Sequence, residues 1–189
     1  MLGKIGSLVA RVAEEAGSVV RLRFGTEEPR YTSEKVTHGL EIRNYGPRIA
    51  AETTSSAATG NAKIAMTAPV ARQSGQKIAM TAPVSKTSGA DGASVVWFFM
   101  PAGWTMDTLP APNDDEVGLV TVPEETVAVL RFTGHRRSAA VAARTTELLD
   151  ALKDTAFNPT GTPVGWFYDP PWTLPFRRRN EVAVPVARR

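Results

Sequence analysis

The sequence predicts an α+β domain in which strands outnumber helices. Three observations predict it. Short runs of alternating polar and apolar residues recur between glycine- and proline-marked turns, as half-buried strands do. One long run, RRSAAVAARTTELLDALKD (136–154), carries its apolar residues at helical spacing. The composition, 42% hydrophobic and 22% charged over 189 residues, is enough for one packed domain or two small halves sharing a core.

The elements follow in chain order. Ile5, Leu8, Val9, Val12 and Ala16 form one apolar stripe, so residues 1–24 are expected to be a helical segment lying on the body of the protein. Arg11, Glu14 and Glu15 interrupt the apolar run that a signal peptide needs. GTEEPRYT (25–32) reads as a linker. Leu40, Ile42 and Asn44 then share one face of a strand, with Glu41, Arg43 and Tyr45 on the other. Gly46-Pro47 is expected to turn the chain into a returning strand over 48–54, and SSAATGN to form a loop.

KIAMTAPV occurs at 63–70 and again at 77–84, an offset of fourteen. Ile64, Met66, Ala68 and Val70 share a face in the first copy, and Ile78, Met80, Ala82 and Val84 in the second. The proline in each argues against a fully bonded central strand. After the junction KTSGADGAS come the apolar strand SVVWFFM, the acidic loop TLPAPNDDEV, and two strands joined at Pro123-Glu124-Glu125. The 136–154 helix has Ser138 as its expected cap. An aromatic loop and a last strand, EVAVPVA, complete a domain over 25–189, with halves at about 33–88 and about 93–189.

Several chemistries are excluded. The chain has no cysteine, hence no disulfide, thiolate metal site or cysteine nucleophile. That fits a reducing compartment, and a cytoplasmic location is expected. No stretch reaches the roughly 20 apolar residues of a membrane span. A net charge of +3 with no tracking basic groove speaks against nucleic acid. No nucleophile elbow, phosphate loop or zinc-protease motif is present, so a binder is expected rather than an enzyme. His38 and His135 are the only histidines and the candidate metal ligands; tyrosines and methionines are further options. Asp114, Asp115 and Glu116 read as a solvated loop.

The richest stretch is GWFYDPPWTLPFRRRNEV (165–182). Trp166, Phe167, Tyr168, Trp172 and Phe176 offer broad apolar area, and Arg177, Arg178 and Arg179 follow at once. This pairing suits a flat ring system bearing carboxylates. The same stretch also reads structurally, as a plug on the core in which Asn180 or Glu181 pairs with an arginine. Both readings stay open here.

These residues resemble the SOUL, or haem-binding protein, family. The likeness lies in GTEEPRYT (25–32), GLEIRNYGPRIAAETT (39–54), the duplicated KIAMTAPV, WTMDTLPAPNDDEV (104–117), VAVLRFTG (127–134) and YDPPWTLPFRRRNEV (168–182). It implies a distorted β-barrel or bent antiparallel sheet with flanking helices and two pseudo-repeated halves, similar to the gyrase-inhibitory and multidrug-regulator effector fold. It also implies non-covalent binding of haem b or a related porphyrin in an apolar cleft, for transport, buffering or handling; the alternatives are a small-molecule or protein interaction module of the same fold, or a haem-modifying enzyme. Met66, Met80, Trp166, Tyr168, Trp172 and Phe176 are then expected to contact the ring. Arg177, Arg178 and Arg48 would meet its propionates, and His135 or His38 its metal. The sequence departs from the family at 55–62, where relatives carry a helix and this chain has SSAATGNA.

Overall fold

A computed structural model describes residues 22–23, 26–37, 39–55, 78–79, 81–88, 94–112 and 114–189. Of the expected helical segment 1–24 only Leu22 and Arg23 are described, and they form a strand rather than a helix. Its other residues, the 55–62 departure (save Ser55), the first KIAMTAPV copy, Met66, Met80 and His38 lie outside the described residues.

Two short strands, β1 (Leu22–Arg23) and β2 (Thr26–Glu27), pair with each other. The main sheet begins with β3 (Tyr31–Thr37), β4 (Leu40–Tyr45) and β5 (Arg48–Ser55). It continues with β6 (Val84–Ser88), β7 (Ser94–Phe99), β8 (Val117–Val122) and β9 (Glu125–Phe132). Helix α1 (Ser138–Leu152) precedes β10 (Phe157–Pro159), β11 (Val164–Phe167) and β12 (Asn180–Arg188). The order across the sheet is β3-β4-β9-β12-β11-β6-β7-β5-β8, with β10 also on β12, and every pairing within it is antiparallel. The hydrogen-bonded path ends at β3 and β8, so the sheet is bent but unclosed.

The bend corrects one expectation. β4 and β5 do not form a hairpin. Tyr45 pairs with Glu125 and Arg48 with Val122, so Gly46-Pro47 lies opposite Pro123-Glu124. Proline offers no N–H to a ladder, and here both neighbouring strands lose theirs at the same level. Each strand breaks and runs on, and its two parts lie far apart in the strand order.

The alternation read in β4 decides the faces. Leu40 and Ile42 pack with Ala128, Leu130, Val182 and Val184 beneath α1, whose Leu148 and Leu152 are fully covered. Burying each of those leucines is worth about 1.5–3 kcal/mol, which is why this helix sits where it does. On the opposite face Tyr45, Val127, Val129, Trp166 and Ala183 form a second cluster. Ala51, Ile78 and Leu109 form a third, where the 100–112 loop lies on β5. Helix α1 starts one residue earlier than a Ser138 cap implies. Arg137 is at the cap position, with no side-chain cap bond, and Ser138 is the first helical residue.

The second KIAMTAPV copy is not a continuous strand. Ile78 and Ala82 are buried, Thr81 makes a lone parallel bridge to Glu27, and Ala82 donates to the Glu27 carbonyl at 2.9 Å. Only at Val84 does the chain enter the sheet, as β6.

Candidate functional site

Register brings the central strip of the sheet into one row of side chains. Gly165 lies opposite Lys86, which lies opposite Val96; Phe167 lies opposite Val84, which lies opposite Phe98. Paired residues of antiparallel strands share a face, and this is the face that carries α1. The helix covers β9 and β12 but leaves β11, β6 and β7 open beside it. A groove of about 480 Å³ runs there between Val141 and Thr145 of α1 and Pro163 and Gly165. A second cavity of about 250 Å³ continues it between Val84, Val96 and Pro171. Lys86, Arg136 and Phe167 line both.

Gly165 makes this groove possible. A Cβ there would sit 2.9 Å from the Phe167 ring and 3.7 Å from Val141. The bare backbone lets the ring lie flat along the floor. Arg136 stands 5.6 Å from the centre of that ring and donates to the Asp169 carbonyl at 3.1 Å. Burial, and then the positive charge of Arg178, hold its basicity below the usual guanidinium range. It remains a cation, and one that an anion in the groove would stabilise. Among the described residues no ion pair engages Lys86 or Arg136.

The residues expected from sequence are dispersed. Trp166 is 3% exposed and packs edge-on to Tyr45 on the opposite face of the sheet. Tyr168 donates to Glu181 at 2.6 Å. Trp172 and Phe176 are exposed on the loop before β12, with Arg177. Arg178 is turned back onto that loop, donating to the carbonyls of Thr173 and Pro171. Arg48 is ion-paired with Glu125 beside the strand break. His135 is exposed ahead of α1 and lines neither part of the groove. Of the aromatic group read from the sequence only Phe167 lines the groove, and Lys86, Arg136 and Val141 beside it were not among the residues expected there. Lys86 had a signal, since it keeps parity with Val84.

The structural reading of the 165–182 stretch holds for Glu181. Its carboxylate accepts from Arg43 at 2.7 and 3.0 Å, from Arg179 at 3.0 Å and from Tyr168. Arg179 also meets Glu28, giving two buried cations for two buried anions. Burial would push the Glu181 carboxyl up, but the Arg43 hydrogen bond and the charges of both arginines outweigh it and hold it below the usual range. Burial, then the Glu181 charge, pushes the Tyr168 hydroxyl well up, so it stays a donor.

Another cavity, about 460 Å³, opens at the strand break beside Met100, Trp104 and Met106. Its inner charges, Glu28 and Arg48, already have partners in Arg179 and Glu125. Its remaining cation, Arg30, is exposed at the rim, whereas the groove beside α1 has two cations, Lys86 and Arg136, in its lining.

Residues 26–185 match the model of the SOUL heme-binding protein family. No curated protein shows a significant match. Among solved structures, the EcmrR C-terminal domain superposes with a TM-score of 0.58 at 11% identity, covering 84% of this chain and 99% of that one. A hydrolase from Listeria innocua gives 0.54 at 14% identity, covering 81% and 94%. At such identities the likeness is one of fold.

Proposed function

The chain belongs to the SOUL heme-binding protein family, and from that premise we propose that the groove between α1, β11 and β6 binds a flat tetrapyrrole non-covalently. Phe167, Val84, Val96 and Val141 would bury the ring, while Lys86 and Arg136 would hold its carboxylates. The observation that carries this reading is the pair of cations beside an aromatic floor, in a groove whose volume of about 480 Å³ lies within the roughly 300–1,000 Å³ common for ligand sites and which the smaller cavity extends.

The lining residues suit the ring and its acids better than they suit a metal. Among the described lining residues there is no histidine, methionine, cysteine or tyrosine. Burying roughly 400 Å² of ring at about 25 cal/mol/Å² is worth on the order of 10 kcal/mol before binding costs. That is enough for useful affinity without a bond to iron. Haem and iron-free porphyrin would then bind alike, and the chain would carry or buffer the pigment; no side chain is given a catalytic role.

Equilibrium titration with haemin and with protoporphyrin IX tests this. Dissociation constants within a few-fold of each other are expected. A haemin preference of a hundredfold or more, lost in His135→Ala, would replace this reading with iron ligation. No saturable binding of either would end it.

A further inference from the structure

The loop between β11 and β12 presents large apolar side chains to solvent. Trp172 is 78% exposed, Phe176 71% and Leu174 54%. They are held there by a fixed backbone. Arg178 donates through Nε to the Thr173 carbonyl at 2.7 Å and through a terminal nitrogen to the Pro171 carbonyl at 2.6 Å. Thr173 N–H bonds the Pro170 carbonyl, Arg177 N–H that of Leu174, and Gly134 N–H that of Pro175. Three of the nine residues from 170 to 178 are prolines. Such a frame leaves these side chains little freedom to fold back onto the core.

The surroundings are basic. The Gly134–Pro175 bond sets residues 133–138 against the loop, which adds Arg136 and Arg137 to Arg177 and Arg178. No aspartate or glutamate occurs in 133–138 or 170–178. Arg137 and Arg177 are exposed. Tryptophan, phenylalanine and leucine ringed by arginine are the side chains that settle at a bilayer's headgroup layer. Three side chains also fall short of the ~800 Å² per partner of a stable protein interface.

We propose that residues 170–178 dock on an anionic lipid bilayer, with Trp172, Leu174 and Phe176 entering the headgroup layer and Arg137 and Arg177 meeting its phosphates. The docking stands on the loop alone. It has one consequence that rests on the proposed function. Pro171 and Asp169 border the groove, so a docked chain holds the groove's mouth at a membrane, where an apolar ring ligand can pass between lipid and protein.

The test uses the ligand-free full chain with phosphatidylcholine vesicles, with and without phosphatidylglycerol, read by sedimentation and tryptophan emission. Binding to the anionic vesicles with a blue shift is expected, weakening as salt rises. Trp172→Phe is expected to keep the binding and lose most of the shift, since the described Trp97, Trp104 and Trp166 are at least partly covered. Trp172→Ser with Phe176→Ser is expected to lower vesicle affinity at least tenfold with an unchanged unfolding temperature. Failure to sediment with anionic vesicles, or sedimentation of the double variant equal to the parent's, overturns the proposal. Vesicle binding by a chain that takes up no porphyrin supports the docking and refutes the groove reading.

Discussion

Glu181 is wholly buried between two arginines, and its partner Arg43 lies 138 residues away in the chain. Removing one member of a buried pair leaves the others uncompensated, so Glu181→Gln is expected to cost about 3–5 kcal/mol, measured by denaturant unfolding. The carboxyl is held below its unfolded value. Its contribution is therefore complete above the ordinary carboxylate range near pH ~4.3, and is lost as pH falls through the folded value. Unfolding temperature should fall on acidification through and below that range, with a shallower slope in Glu181→Gln; equal slopes would show that Glu181 does not carry the effect. Gly165 invites a finer test. In Gly165→Ala the new methyl must displace the Phe167 ring, so porphyrin affinity is expected to fall several-fold while unfolding shifts by only about 1 kcal/mol. A ring that stays in place, with unchanged affinity, would show that Phe167 is not the floor.

At the scale of elements, β6 ties the repeated phrase to the groove. The second copy anchors Ile78 in the core, bridges Glu27 through Thr81 and delivers Val84 and Lys86 into the sheet. None of these contacts involves residues 63–76, and deleting those residues leaves one copy of KIAMTAPV. That deletion is expected to change unfolding free energy by less than about 1 kcal/mol if the second copy supplies the contacts, because shortening the chain between two anchored points alters closure entropy only slowly. A loss of several kcal/mol would mean that the first copy holds something the second cannot. The alternation of β4, the 136–154 helix and the last strand were legible in the sequence, because periodicity is a local property. The path at Gly46-Pro47 was not. A glycine–proline pair reads as a reversal unless the second proline, at 123, is known to lie beside it. The groove was hidden for the same reason: Lys86 and Gly165 are neighbours only through a register joining distant strands. The aromatic–arginine stretch was visible as a group, but β-strand parity sends Trp166 and Phe167 to opposite faces.

Across the whole molecule, the bent sheet keeps its two kinds of charge apart. The ion pairs of Glu28, Arg43, Arg179 and Glu181 are internal and balanced. Lys86 and Arg136 lie beside an apolar groove on the face that carries α1. The central claim is that these two cations hold the acids of a ring seated on Phe167. It is tested most directly by titrating Lys86→Glu with Arg136→Glu against protoporphyrin IX and its dimethyl ester. The double variant is expected to bind the diacid at least tenfold more weakly than the parent while holding the ester about equally well. Unchanged affinity for the diacid, or equal losses for diacid and ester, would contradict it.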